Sequence, residues 1–208
     1  MGESDRSCES GPEPGRQRVC VTTVTISYVT QSAQGSWLVL LVQVPSDPSR
    51  YRVAVWRELR RFGAVPIGQG AWTAPDVPAC REGAEKAREL ARAGHGDLIL
   101  LTTGSADDDA AKLRALFDAA RGDEWAEFVA DCGKFRAEIA REIAKRKFTL
   151  AELEEEEQSL DRLRRWFRSI RGRDVFGSPS ASGAEANLAD CVVALEGFAG
   201  LVYQELHS

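Results

Sequence analysis

Histidine is almost missing from this 208-residue chain, which contains only His95 and His207. A His-based metal centre or a Ser-His-Asp triad needs histidine beside its partner residues, so neither is expected. The cysteines are odd in number, lie far apart and form no C-x-x-C pair: Cys8, Cys20, Cys80, Cys132 and Cys191. This spacing fits neither a disulfide framework nor a zinc site, and it suits a reducing compartment. We expect no metal and no cofactor.

The chain also lacks a strong net charge and a long hydrophobic run. A net charge of -5 argues against a protein that coats nucleic acid nonspecifically, although a local basic face remains compatible with it. No apolar run reaches membrane-spanning length, and the stretch VCVTTVTISYV (residues 19–29) is too short and Thr-rich for a good secretory signal. We therefore expect a cytoplasmic protein without a membrane partner.

Changes in composition along the chain predict three regions. Residues 1–35 form a mostly disordered N-terminal extension, because residues 1–17 are polar and contain Gly and Pro. Residues 18–35 are either an extra strand or leader-like sequence, and the residues do not decide between the two. Residues 36–104 read as one folded domain, and residues 105–208 read as a helical domain.

The first domain shows the order strand, helix, strand, strand, helix, strand. Short Val- and Leu-rich runs predict strands at 36–45 and 97–103, and AVPIGQ and GAWTAP predict a hairpin over 64–75. Val53, Trp56, Leu59 and Phe62 define the expected apolar face of the first helix, and Gly94 should end the second. This order is typical of a ferredoxin-like βαββαβ domain.

The second domain reads as an antiparallel bundle of amphipathic helices. Apolar residues recur at helical spacing from Trp125 to Ile143, and they recur again from Leu153 to Ile170. Two capping boxes are predicted to begin helices, one at Thr149–Glu152 and one at Ser182–Glu185. The fold class is therefore α+β. Cys132, Cys191 and the tryptophans should mostly pack in cores.

The helix over residues 159–171 carries a concentration of arginines. Arg164, Arg168 and Arg171 share one face, and Arg173 follows in the adjoining loop. Guanidinium groups are planar, always charged and forked, so they suit tetrahedral oxyanions. The alternative is a purely structural role, because glutamates early and arginines late in a helix complement its dipole. From the residues alone this structural role is slightly favoured.

The first helix offers a second basic face, formed by Arg50, Arg57, Arg60 and Arg61. Such a face beside a sheet suits contacts with DNA phosphates. The alternative is a solvated face opposite the apolar one, which is the commoner case. The chain contains no helix-turn-helix or other recognised DNA-reading motif.

Two long stretches resemble a known family. WLVLLVQVPSDPSRYRVAVWRELRRFGAVPIGQGAWTAPDVP (from Trp37) and KFTLAELEEEEQSLDRLRRWFRSIRGRDVFG (from Lys147) are similar to the N-terminal domain of the ChrB chromate resistance family. The likeness covers roughly residues 36–206, and the first half shows a weaker likeness to the ferredoxin-like domains of PaaX-type regulators and Cas2-like proteins. Family members continue into a second domain, so activities of that half are not carried over.

The resemblance implies a chromate-responsive transcriptional regulator of a chromate efflux system. It implies DNA and chromate as partners. We assign the two arginine groups as their contacts and expect no enzymatic activity. The open sheet and the heptad-like helices favour a homodimer. Two alternatives from other classes remain: an interaction module that does not bind DNA, or an enzyme. The enzyme would be a Cas2-like metal-dependent nuclease using Asp76, which is more simply a capping residue, or a chromate-reducing accessory using Cys80, Cys132 or Cys191.

Overall fold

The computed structural model describes residues 36–104 and 108–207 of the chain. The expectations for residues 1–35 fall outside this part. In chain order the described elements are β1 (Ser36–Gln43), α1 (Ser49–Arg61), β2 (Val65–Gly68), β3 (Ala71–Pro75), α2 (Pro78–Ala93), β4 (Asp97–Gly104), α3 (Asp108–Ala144), α4 (Leu150–Arg173) and α5 (Ser180–Leu206). The α+β class is confirmed, and so is the predicted order of strands and helices up to β4.

The four described strands form one sheet in the order β2-β3-β1-β4, and every neighbouring pair is antiparallel. Successive side chains of β1 point to opposite faces of the sheet. Leu38 and Leu40 are fully buried beneath α1 and α2, whereas Val39 and Leu41 point to the other face and stay partly exposed. One face of the sheet is therefore covered by α1 and α2. The other face is buried at Trp37, Val65 and Thr73 and stays open along β1 and β4, around Val39, Leu41, Ile99 and Leu101; we call this exposed part the open face.

The buried face of α1 differs from the predicted one. Val53 and Trp56 are 42% and 51% exposed, whereas Val55 and Leu59 are buried. Leu59 and Phe62 are buried as predicted, and Gly83 of α2 leaves space for the ring of Phe62. A Cβ atom at Gly83 would lie 2.3 Å from the Phe62 ring. This close fit between α1 and α2 is a tertiary constraint that helical spacing alone does not reveal.

Helix α3 is continuous over 37 residues and runs through Gly122, so it begins well before the stretch from Trp125 to Ile143 that shows the helical spacing. Its first half packs Phe117 against Trp37 and Val65 of the sheet. Its second half enters the bundle, where Trp125, Phe128 and Cys132 are fully buried. The same helix thus contributes to the cluster beside the sheet and to the core of the helical bundle. The predicted division of the chain at residue 105 remains a prediction.

Helices α3, α4 and α5 share a core that includes Leu160, Ile170, Cys191 and Phe198. The predicted cap at Thr149 is confirmed, because its side chain accepts a hydrogen bond from the Glu152 N–H at 3.3 Å. The predicted box at Ser182 is wrong. Helix α5 already begins at Ser180, and the Ser182 hydroxyl donates to the Pro179 carbonyl instead.

One helix in the described part of the chain, α5, is long and apolar enough to cross a membrane by length and composition, with a mean hydropathy of 1.3 over its best window. This differs from the expectation that no apolar run reaches that length. The core helix of a soluble protein passes the same test, and α5 contributes Cys191, Leu195 and Phe198 to the bundle core. In the structure 22% of that window is buried.

Candidate anion site

A cleft of about 310 Å³ lies where the C-terminal part of α4 faces α1 and the start of α2. Three arginines line it: Arg61 from the end of α1, and Arg168 and Arg173 from α4. We call this feature the arginine cleft. It brings together one residue of the predicted DNA-binding group and two of the predicted oxyanion group. Ser169 and Cys80 also line the cleft, and neither was predicted to belong to such a site.

Arg61 is held by a buried carboxylate. Its Nε and Nη2 atoms donate to the two Glu58 oxygens at 2.8 and 2.5 Å. Glu58 is 6% exposed, and the hydrogen bonds from Arg61 lower the pKa of its carboxyl despite the opposing effect of burial. This pairing neutralises most of the Arg61 charge. The Nη1 group is still available to a ligand, since a guanidinium carries five N–H donors.

Arg173 is tied to α3. Its Nε donates to Glu124 Oε2 at 2.9 Å, and its Nη1 donates to Ser169 Oγ at 2.8 Å. The other Glu124 oxygen accepts from the buried Arg121 at 2.9 Å, so one carboxylate bridges two arginines. Arg121 also donates to the Gly63 carbonyl at 3.2 Å. The cluster of Arg121, Glu124 and Arg173 therefore fixes one wall of the cleft.

Arg168 is the exposed member of the cleft. It has no hydrogen bond or ion pair to any residue in 36–104 or 108–207. Its positive charge is thus the least compensated in the cleft, where Glu82 is the one acidic residue among the described residues of the lining. Anion binding in the cleft would draw on Arg168 together with the residual donors of Arg61 and Arg173.

The start of α2 adds to this positive character. Its N-cap, Val77, has no side-chain cap, and Ala79 and Cys80 of the first turn line the cleft. Helix N-termini carry partial positive charge, which favours anions. Here the charge acts through the dipole more than through free donors, because Pro78 has no N–H and the Cys80 N–H donates to the Val77 carbonyl at 3.0 Å. Burial raises the pKa of the Cys80 thiol to about 11. This thiol is therefore neutral near pH 7 and a poor nucleophile.

The remaining arginines of the predicted oxyanion group lie outside the cleft. Arg164 is paired with Asp161 at 3.3 Å, while Arg171 is exposed and has no partner among the described residues. The helical face that these residues share with Arg168 is therefore not a uniform stripe of free charge. Part of it is structural, as the alternative interpretation anticipated.

The remaining members of the predicted DNA-binding group are solvent-exposed on α1. Arg50 lies 4.8 Å from the centre of the Tyr51 ring, and Arg60 lies 4.6 Å from that of Trp56. Arg57 is exposed and has no partner in the described part of the chain. Arg60 also lines a separate hollow beside Arg121. The aromatic contacts hold two of these side chains without neutralising them.

Asp76 does not stand free. Its carboxylate accepts from Arg81 at 2.5 and 2.7 Å and from the Ser36 hydroxyl at 3.0 Å. These contacts, above all the one with Arg81, lower the pKa of the Asp76 carboxyl. Within the described residues no group of three or more His, Cys, Asp or Glu side chains could hold a metal ion.

Comparison with known proteins places this architecture in a family. Residues 52–208 match the family described as "Protein ChrB, N-terminal". The chain belongs to the ChrB N-terminal family. The matched region includes the three arginines of the cleft and leaves out Arg50.

A curated member of this family, Protein ChrB of Cupriavidus metallidurans, is 29% identical to the chain over 174 residues. The match covers 82% of this chain and 50% of that protein, so the chain spans about half the length of the curated relative. Among solved structures, an uncharacterized protein (Rv0674) from Mycobacterium tuberculosis aligns with a TM-score of 0.41 and 14% identity, covering 86% of this chain and 72% of the other. That likeness assigns neither a function nor a shared fold.

Proposed function

We propose that the protein is a cytoplasmic, chromate-responsive transcriptional regulator of a chromate resistance system. Membership of the ChrB N-terminal family carries this proposal, since the match spans residues 52–208. The arginine cleft supplies the chemistry, because it combines an unpaired guanidinium with a helix N-terminus. The protein acts by binding and not by catalysis.

The oxyanion is chromate, and Arg168 is its principal contact. Chromate is a tetrahedral dianion, so it accepts several N–H donors at once and gains from the residual donors of Arg61 and Arg173. Both of these arginines are already oriented by Glu58 and Glu124, which lowers the entropic cost of organising the site. Arg164 and Arg171 attract the anion from outside the cleft.

DNA binds through the exposed arginines of α1, Arg50, Arg57, Arg60 and Arg61. Arg61 lies on both surfaces, because it belongs to the basic face of α1 and also lines the cleft. An anion in the cleft would place negative charge close to the DNA phosphates. Chromate should therefore weaken the DNA complex through repulsion at this shared arginine.

We further infer that the unit from β1 to β4 is a ferredoxin-like domain and that two copies associate through its open face. The strand order β2-β3-β1-β4 and the packing of α1 and α2 on one face support the first inference. Exposed apolar pairs across β1 and β4 support the second: Leu101 is 47% exposed opposite Val39, and Ile99 is 48% exposed opposite Leu41.

A gel shift with the DNA upstream of the protein's own reading frame tests the regulator proposal. Chromate should release the DNA and sulfate should do so less. The Arg168→Glu variant should lose at least about tenfold in chromate sensitivity, because it removes the unpaired charge of the cleft. Arg165→Glu is the matched control: Arg165 is also exposed and has no partner among the described residues, but it does not line the cleft, so the response of this variant should stay close to wild type.

Other results of the same experiment favour the alternatives. Equal chromate sensitivity of DNA binding in the two variants would show that the cleft is not the chromate site. An absence of any shift at low salt would favour an interaction module without DNA affinity. Cleavage of the probe that stops with chelator and with Asp76→Ala would favour a Cas2-like nuclease. A salt series should also give a slope that falls by about one for Arg57→Ala, if this residue contacts a phosphate.

A further inference from the structure

A second groove lies on the bundle between α3 and α4, and it shares no lining residue with the arginine cleft. It has a volume of about 610 Å³. Its apolar lining comes from Phe135, Leu163 and Trp166, and its charged lining is mostly acidic. The size is in the range of small-molecule sites, which are typically about 300–1,000 Å³.

Glu156 is the unusual residue of this groove. It is only 5% exposed, yet it makes no hydrogen bond or ion pair with any residue in 36–104 or 108–207. Most buried charges in proteins are paired, so a carboxylate on a residue this little exposed and without a protein partner is unusual. Its oxygens are not fully enclosed, so the carboxylate is open to a ligand. The groove is the open volume next to this carboxylate. A cationic ligand in the groove would supply the missing partner.

The charges around Glu156 are acidic on balance. Asp131 is paired with Lys134 at 2.6 Å, and Glu138 is paired with Arg141, so these two carboxylates are compensated. Among the described lining residues outside these pairs, Glu155 and Glu156 face one cation, Arg162, because Lys134 is held by Asp131. Burial and then the charges of Glu155, Glu142 and Glu152 raise the pKa of the Glu156 carboxyl, while Arg162 opposes them.

The groove continues into a neighbouring hollow of about 400 Å³ along α4. The two share Glu155, Ser159 and Arg162, and the hollow adds Glu154. The pattern is a buried carboxylate beside aromatic and aliphatic side chains, followed by further carboxylates along the same helix. This pattern fits a linear molecule with spaced positive charges and an apolar chain between them. It does not fit a bare metal ion, because no suitable ligand group exists among the described residues.

We propose that the groove between α3 and α4 is a binding site for a linear aliphatic polyamine. One ammonium group pairs with Glu156 and lies near the Trp166 ring, which favours cations over its face. The methylene chain packs on Phe135 and Leu163. A second ammonium group reaches Glu154 and Glu155. Arg162 limits the affinity, since its charge opposes the ligand.

Spermidine is the probe for this site, and its binding is measured by isothermal titration calorimetry at about 0.15 M NaCl, where weak surface attraction is screened. Glu156→Gln should weaken binding by at least about tenfold, because it removes the buried charge but keeps the shape. Glu157→Gln is the control: the neighbouring residue is exposed and does not line the groove, so binding should be unchanged. Arg162→Ala should strengthen binding.

Three results would overturn the proposal. The first is the absence of saturable spermidine binding. The second is an equal loss of spermidine affinity in the Glu156→Gln and Glu157→Gln variants. The third is complete displacement of spermidine by Mg²⁺ at the same concentration of positive charge, which would indicate counterion attraction only. Trp166→Phe is a second variant and should weaken binding while the circular dichroism spectrum stays native. None of these measurements depends on DNA or chromate, so the outcome is independent of the regulator proposal.

Discussion

Charged residues at core positions distinguish this protein at the scale of single residues. Arg121 stands at helical spacing between Phe117 and Trp125, and it is only 3% exposed. Burial lowers the pKa of its guanidinium, which nevertheless stays charged beside Glu124. The spacing in the sequence gives a signal for this residue, because an arginine at that position must face a core. Glu124 as its partner emerges only in the folded molecule.

Gly63 makes room for this arginine cluster, and we expect its substitution to be costly. Its φ of +90° lies in the left-handed region, and a Cβ atom would come within 2.7 Å of Arg121 Nη1 and 2.8 Å of Arg173 Cβ. Gly63→Ala should therefore lower the free energy of unfolding by about 2–4 kcal/mol, through backbone strain and overpacking. Urea denaturation measures this change.

Gly133 provides the control for that prediction. It lies within α3, and a Cβ atom at this position would meet no atom within 4 Å beyond the backbone of its own helix. Gly133→Ala should raise the free energy of unfolding by about 0.5–1 kcal/mol, as alanine does in helix interiors. A Gly63→Ala protein as stable as the wild type would contradict the close packing of Arg121 and Arg173 around this position.

At the scale of elements, local sequence explains where helix α4 begins but does not explain where helix α5 begins. Helix α4 begins after Thr149 because the side chain caps the first turn. Helix α5 begins at Ser180, and its N-cap residue makes no side-chain capping hydrogen bond. The segment that precedes the helix is instead held by contacts with other parts of the chain. There the buried Asp174 carboxylate accepts from the Ser178 N–H and from Trp125 Nε1, both at 2.9 Å. The connection before α5 is thus anchored to α3.

The cap of α4 leads to a prediction about stability. Thr149→Ala removes the acceptor for the Glu152 N–H and should cost about 1 kcal/mol in unfolding free energy. Ser182→Ala, at the residue wrongly expected to cap α5, should change it by less than about 0.5 kcal/mol, as exposed substitutions usually do. Chemical denaturation measures the free energy of unfolding of both variants. Equal losses of stability would contradict the assignment of Thr149 as a helix cap and of Ser182 as a residue without that role.

At the scale of the whole molecule, the open face of the sheet is the surface available for self-association. Sedimentation velocity should reveal a dimer of the wild-type protein. Leu101→Asp should yield a monomer with little change in melting temperature, because a charge at a desolvated contact opposes association. Val193→Asp is the control, since Val193 is 67% exposed on α5, away from the sheet, and the variant should remain dimeric. A wild-type monomer at high concentration would contradict the dimer.

The amino-acid sequence by itself determined the α+β class, the order of elements, the cap at Thr149 and the family resemblance, because these depend on local spacing and on residue type. The tertiary structure decided that Val55 of α1 is buried while Val53 and Trp56 are exposed, since that depends on how α1 packs against α2 and the sheet. It also decided which arginines are neutralised: Arg61 and Arg173 meet carboxylates, while Arg168 meets none among the described residues. Pairing of charges depends on neighbours far apart in the chain, such as Arg173 and Glu124, and their approach follows from the packing of whole helices.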